Sequence, residues 1–221
     1  ASWAYYLPGY EIVRWDEDNF DVQNHPFSAA AYSVGSYAFV SDYVRMHVLN
    51  MYGGIYLDVD VEMDADFGQL LDYDFFIGLE DCKRFGTSVI GSAPGHWLSV
   101  RMLDFYDKTP FDLRLLPELV NVNEVSRLLL AHGFNGLQGQ VVGLQRVEPV
   151  GVFAQANKAL GSATVRPVAR HLYAGSWRVR KGKSAISNIW RSLRKVPEQL
   201  DAFFYLWFYR FAVWCRHFRR G

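Results

Sequence analysis

Asp58, Asp60 and Glu62 stand at every second position of the run Tyr52-Gly53-Gly54-Ile55-Tyr56-Leu57-Asp58-Val59-Asp60-Val61-Glu62. A strand over 55–63 would alternate its side chains, with Ile55, Leu57, Val59 and Val61 on one face and Tyr56, Asp58, Asp60 and Glu62 on the other. Three carboxylates at that spacing repel and raise one another's pKa unless a cation stands opposite. A divalent metal answers that need. With only one or two carboxylates in reach, its other ligands are water and substrate oxygens, which suits Mg²⁺ or Mn²⁺ holding a diphosphate. The same pattern also describes an acidic strand end that faces solvent.

Upstream, Ser41-Asp42-Tyr43-Val44-Arg45 sits on a predicted helix over 37–52, where positions three apart share a side, and this helix stops at Gly53-Gly54. Asp42 and Arg45 there form either a surface ion pair worth at most about 1 kcal/mol or a working pair. In the second case Asp42 accepts from sugar hydroxyls, and Arg45 is a fixed cation for phosphate or a neighbouring carboxylate.

The elements expected to position these groups alternate in kind. A strand over 10–15 ends at the turn-prone Asp16-Glu17-Asp18-Asn19, and helices follow over 26–34 and 37–52. Strands are expected over 55–63, 75–79 and 87–91, helices near 96–106 and 122–132, and strand-like pieces over 138–147 and 165–173. The end reads as helical over 184–194 and 197–218. The predicted class is α/β: a mixed sheet flanked by helices over 1–180, with a basic, aromatic helical tail over 181–221.

Half of the 221 residues are hydrophobic, enough for a sizeable core and too many for a disordered chain. Cys82 and Cys215 are the two cysteines, too few for a disulfide scaffold and suited to a reducing compartment, which points to the cytoplasm. The net charge of zero is asymmetric: residues 166–221 carry 13 Lys/Arg against two acids, and residues 1–165 carry 10 against 21. Phe203, Phe204, Tyr205, Trp207, Phe208, Tyr209, Phe211, Trp214 and Phe218 crowd the tail among arginines. Its apolar stretch is too short to span a bilayer but suits an anionic membrane interface, here the inner face of the cytoplasmic membrane. Docking on its own domain and self-association are the other readings. The tail has no nucleic-acid-binding motif. The chain opens without Met or a signal peptide.

The region from Ala38 to Glu62 resembles the DXD sugar-binding region of glycosyltransferase family 32, through Ser-Asp-x-x-Arg and Tyr-Gly-Gly-Ile-Tyr-Leu-Asp-x-Asp. The resemblance runs back through Leu7-Pro8-Gly9-Tyr10 and on through Phe76-Ile77-Gly78-Leu79-Glu80 to His171 and Ala174-Gly175-Ser176-Trp177. It implies a GT-A fold, a nucleotide-sugar donor, Mn²⁺ or Mg²⁺, a glycan or lipid-linked acceptor, and retention of anomeric configuration, as in bacterial surface-polysaccharide assembly. Asp58 would then bind the ribose or sugar side of the donor, and Asp60 the metal bridging its diphosphate. Asp42, Arg45 and Tyr56 would hold the sugar. Glu80 and Asp81 are the acids expected to face the acceptor.

Two departures from the family pattern carry consequences. Arg170-His171-Leu172-Tyr173-Ala174-Gly175-Ser176-Trp177 has Leu172 where the family's second His stands. Either His171 supplies the metal contact, or water and Ser176 do, with Trp177 capping the pocket. The sequence also begins after the family's usual first strand, so the central sheet is expected to lack it. Two other functions fit the residues: a sugar-nucleotide hydrolase or nucleotidyltransferase, and a non-catalytic glycan-binding relative.

Overall fold

The computed structural model describes residues 2–154 and 165–173, and the backbone alone of 213–217. Its helices are α1 (Ser2–Tyr6), α2 (Pro26–Ser33), α3 (Tyr37–Tyr52), α4 (Trp97–Lys108), α5 (Leu116–Leu119) and α6 (Asn121–Ala131). Its strands are β1 (Tyr10–Arg14), β2 (Gly54–Leu57), β3 (Val61–Met63), β4 (Phe75–Asp81), β5 (Arg84–Ser92), β6 (Gln140–Val142), β7 (Gln145–Glu148), β8 (Ala169–His171) and β9 (Val213–His217). Seven strands form one sheet in the order β1-β9-β2-β5-β4-β7-β6, and β3 pairs with β8 in a separate ribbon. The β4–β7 pairing is parallel and the other pairings are antiparallel, so the central sheet is mixed.

Strand side chains divide by parity between two cores. Tyr56, Phe75, Ile77, Leu79 and Ile90 pack with Val40, Val44 and Val48 of α3, Met102 of α4, and Val125 and Leu129 of α6. Ile55, Leu57, Phe76 and Val89 turn the other way, onto Leu7, Val61, Met63, Phe67, Val152 and Phe153. Both faces being covered, the central strands are continuous apolar runs.

The strand expected over 55–63 is divided in two. β2 ends at Leu57, opposite Val89 of β5, and Asp58-Val59-Asp60 makes a turn closed by the Val61 N–H donating to the Asp58 carbonyl at 3.0 Å. The chain then leaves the sheet and pairs Val61 with His171. Burial is the reason: a strand continuing between covered faces would carry its carboxylates into an apolar core. The strand-like stretches over 138–147 and 165–173 resolve into the β6–β7 hairpin and β8. Glu80 and Asp81, expected just after a strand, are the last two residues of β4.

The helix expected over 197–218 is corrected at its end. Residues Val213–His217 are a strand, antiparallel to both neighbours, with Cys215 opposite Ile12 on one side and Ile55 on the other. Aromatic spacing suggested a helix, but β-branched and aromatic residues also suit a strand, and the edges of β1 and β2 offer backbone groups for it to satisfy. The central sheet therefore has β9 in the slot between β1 and β2. Residues 174–212 and 218–221 lie outside the described residues, and with them the rest of the tail and its membrane face. Among the described residues no helix is long and apolar enough to cross a membrane.

Gly53 delivers β2 to its place. It ends α3 with φ 65° and ψ −155°, a region almost restricted to glycine. A Cβ there would also lie 2.6 Å from the Pro94 ring and 2.8 Å from the Ser92 carbonyl oxygen. Gly53→Ala should lower stability by about 1–3 kcal/mol from backbone strain alone, seen as a lower midpoint in chemical denaturation. An unchanged midpoint would mean that the α3–β2 junction relaxes freely.

Candidate active site

Arg45 sits at the centre of the site. Its side chain is 4% exposed, projecting from α3 beneath the end of β2. One terminal nitrogen donates to the Thr87 carbonyl of β5 at 2.5 Å, and the other lies 2.8 Å from Asp42 Oδ1 and 3.1 Å from Asp58 Oδ1. Its guanidinium packs over the Tyr56 ring, 4.5 Å from the centroid. Burial works against this charge, yet Asp58 foremost, with Tyr56 and Asp42, keeps Arg45 more firmly protonated than a solvated arginine. The pair read as either a surface contact or a working pair is thus a buried one.

Asp42 and Asp58 are both anchored to Arg45 but differ in setting. Asp58 Oδ1 also accepts from the Tyr56 hydroxyl at 2.5 Å. Asp42 Oδ1 accepts from the Asn121 side chain at 2.8 Å, and the Asn121 carbonyl oxygen in turn accepts from the Thr87 hydroxyl at 3.2 Å. Burial lifts the Asp42 pKa to about 7; Arg45 opposes that rise and Asp58 adds to it. Burial also pushes the Tyr56 hydroxyl well above its usual range.

The turn between β2 and β3 brings Asp60 up beside Asp58, and β8 brings in His171. Each offers one ligand atom, and all of these atoms lie within 4.8 Å of one another. His171 Nε2 is 3.2 Å from Asp60 Oδ1. Burial disfavours a charged imidazole, but the Asp60 contact more than offsets it, so the His171 pKa is raised. Two carboxylates and an imidazole, half-buried and converging, are a donor set that fits a divalent cation of the Mg²⁺, Mn²⁺ or Zn²⁺ kind.

Asp42, Arg45, Tyr56, Asp58, Asp60 and His171 are therefore gathered in one place. Glu80, at the end of β4, lies near His171 and Tyr173, raising the pKa of both, and its carboxylate is 3.8 Å from Arg84. Asp81 is exposed, and its Oδ1 accepts from the Cys82 N–H at the hairpin turn. Glu62, expected on the same face as the other two acids, is exposed on the β3–β8 ribbon 3.5 Å from Arg170. Ser176 and Trp177 lie outside the described residues. Asn121 and Tyr173 were not singled out from sequence. Asn121 is 79 residues from its partner Asp42, so no local spacing marks it. Tyr173 falls within a motif whose His and Trp were the visible signals.

Residues 1–76 match a family model described as a glycosyltransferase sugar-binding region containing a DXD motif. Over these residues the chain is similar to the DXD-type region of glycosyltransferases. The match includes Asp42, Arg45, Asp58 and Asp60 of the gathered site. The chain is 32% identical over 93 residues to inositol phosphoceramide mannosyltransferase 3 of Schizosaccharomyces pombe, covering 40% of this chain and 26% of that protein. Inositol phosphoceramide mannosyltransferase 2 of the same organism is 31% identical over 97 residues, covering 40% and 27%. An uncharacterized glycosyltransferase of Acanthamoeba polyphaga mimivirus is 38% identical over 97 residues, covering 40% and 39%. The match thus spans about a quarter of each mannosyltransferase and two fifths of the viral protein. No solved structure matches the chain.

The Asp42 carboxyl gives a pH-dependent signature. With a pKa of about 7 when folded and 3.8 ordinarily, it keeps a proton in the folded state that the unfolded chain releases. Its contribution to stability is fully present below about pH 4 and is lost as pH rises through about 7. The stability of the wild type relative to Asp42→Asn should therefore fall over that range, by a few kcal/mol at most, given about 1.4 kcal/mol per pKa unit. Denaturant titrations of both chains at several pH values measure this. A constant difference would show that Asp42 stays ionised beside Arg45 throughout.

Proposed function

We propose that this chain is a metal-dependent glycosyltransferase that moves a sugar from a nucleotide-sugar donor to a glycan or lipid-linked acceptor on a GT-A-like fold, with retention of configuration. The observation that carries the reading is the convergence of Asp58, Asp60 and His171 within 4.8 Å, beside the buried Arg45. A nucleoside diphosphate and two carboxylates repel, and a bridging Mn²⁺ or Mg²⁺ lets them share one site and stabilises negative charge on the departing diphosphate. Asp60 and His171 would hold that ion, with Asp58 turned to the ribose or sugar side and offering an oxygen to the same ion. The single His171 answers for the family pair in which Leu172 replaces the second member.

Arg45 supplies a permanent positive charge that no pH change removes, held in place by Thr87, Asp42 and Asp58. Asp42, tied to Arg45 and Asn121, stands ready to accept from a sugar hydroxyl, and Tyr56 closes the floor. Glu80 is the acid nearest to a position from which it could orient an acceptor hydroxyl. Asp81, bound up in its turn, is less suited. The two mannosyltransferase relatives make mannose donors the first to test, and the inositol phosphoceramide in their names makes lipid-linked acceptors the natural companions to soluble saccharides. Surface-polysaccharide assembly at the cytoplasmic face of a membrane is the setting the resemblance suggests. The tail that would make that membrane contact lies mostly outside the described residues.

Calorimetry with a nucleoside diphosphate, with and without Mn²⁺, tests the metal role. Asp60→Asn should weaken the metal-dependent binding at least about tenfold, the range seen when a metal's support is removed; undiminished binding in chelator would sink it. Product analysis with a panel of nucleotide sugars, with and without acceptor, tests the transfer. A new saccharide that forms only when acceptor is present supports transfer. Free sugar formed at the same rate in both cases would mark a hydrolase, and no turnover of any donor a binding relative.

A further inference from the structure

Tyr173 makes contacts that the reading above does not use. It follows β8 with φ +50°, a left-handed conformation that an aromatic residue seldom adopts. Among the described residues, Lys83 in the β4–β5 hairpin is the other non-glycine with positive φ. Lys83 has a tight turn to account for it, whereas Tyr173 stands beside the candidate metal ligands. Strain of this kind persists only where the surroundings hold it.

Those surroundings converge on His171. The Tyr173 ring lies against the His171 ring with centroids 4.2 Å apart and planes at 36°. Between them in sequence, the Leu172 N–H donates to the Asp60 carbonyl at 2.9 Å, pinning the backbone to the same turn that presents the Asp60 carboxylate. Leu172 itself is exposed and brings no polar group. The left-handed turn folds the chain back, so that a residue two positions on covers the imidazole's face.

We propose that Tyr173 is a positioning residue: its ring, folded back by the left-handed turn, fixes the His171 imidazole with Nε2 toward Asp60. The inference rests on the metal reading of Asp60 and His171. In a pair of ligands that share one ion, a freely rotating imidazole loses affinity each time it turns away, and a group that fixes its plane supports binding without touching the ion. Where the family places a second histidine next to the first, this chain has one imidazole, and its orientation carries more of the binding.

The test is Mn²⁺ affinity of the full chain in the presence of a nucleoside diphosphate, read by electron paramagnetic resonance. Wild type is compared with Tyr173→Phe, Tyr173→Gly, His171→Ala and the double variant His171→Ala/Tyr173→Gly. Tyr173→Phe keeps the ring and should stay close to wild type. Tyr173→Gly should weaken Mn²⁺ binding about tenfold while the thermal midpoint holds or rises, because glycine adopts this φ without strain. In the His171→Ala background the glycine change should add nothing, since Tyr173 acts through His171. Wild-type affinity in Tyr173→Gly, with binding lost in His171→Ala, would overturn the positioning role and leave the metal reading standing. Equal losses from Tyr173→Gly in both backgrounds would also overturn it. Wild-type affinity in His171→Ala would instead remove His171 from the metal and the inference with it.

Discussion

Burying the Arg45 guanidinium imposes the constraint from which the site is organised. A cation taken out of water is tolerated only when its donors are met and its charge is balanced, and losing one partner of such a group is costly. Arg45 is met by a β5 carbonyl, by Asp42 one helical turn back on α3, by Asp58 at the end of β2, and by the face of Tyr56. The partners come from α3, from β2 and its end, and from β5, so the positions of these three elements cannot vary independently. Asn121 extends the arrangement to α6 by bonding both Asp42 and Thr87. Arg45 Nε is buried and has no hydrogen-bond partner among the described residues.

That constraint accounts for the path of the chain after β2. Asp58 must stay at the sheet's end to face Arg45, and the following residues cannot continue as a covered strand while carrying another carboxylate. The turn at Asp58-Val59-Asp60 resolves both demands, and the exit into the β3–β8 ribbon places Asp60 opposite a strand drawn from far along the sequence. The acids meant to repel on one strand face are thereby sorted. Asp58 and Asp60 converge with His171, while Glu62 and Asp64 pair with Arg170 on the outside of the ribbon. A motif of alternating acids is thus divided between a site and a surface by one turn.

The sheet supports this division from both faces. Helices α3, α4 and α6 cover one core and the β3–β8 ribbon with its neighbours covers the other, so β2 and β5 are packed on both faces. Phe76 shows how closely the second face is packed: a Cβ on Gly91 would come within 2.1 Å of its ring. Rigidity of that order suits a site whose groups must converge within hydrogen-bonding reach.

The helices over 26–34 and 37–52, the strands over 75–79 and 87–91, and the pairing of Asp42 with Arg45 were legible because they depend on neighbours within a few positions, through period, caps and glycine stops. The acidic motif was legible from residue type and spacing. Burial of the Arg45 pair, the turn that splits the acidic run, the assignment of Glu62 and Asp81 to the surface, and the partnership of Asn121 with Asp42 depend on which faces end up covered. So do the strand at Val213–His217, where aromatic spacing pointed to a helix, and the packing of Tyr173 on His171. Such contacts join residues far apart in the chain and leave no periodic trace in it. Local rules determined the elements and the chemical groups of this protein, and only the closing of its two cores decided which of those groups share a site.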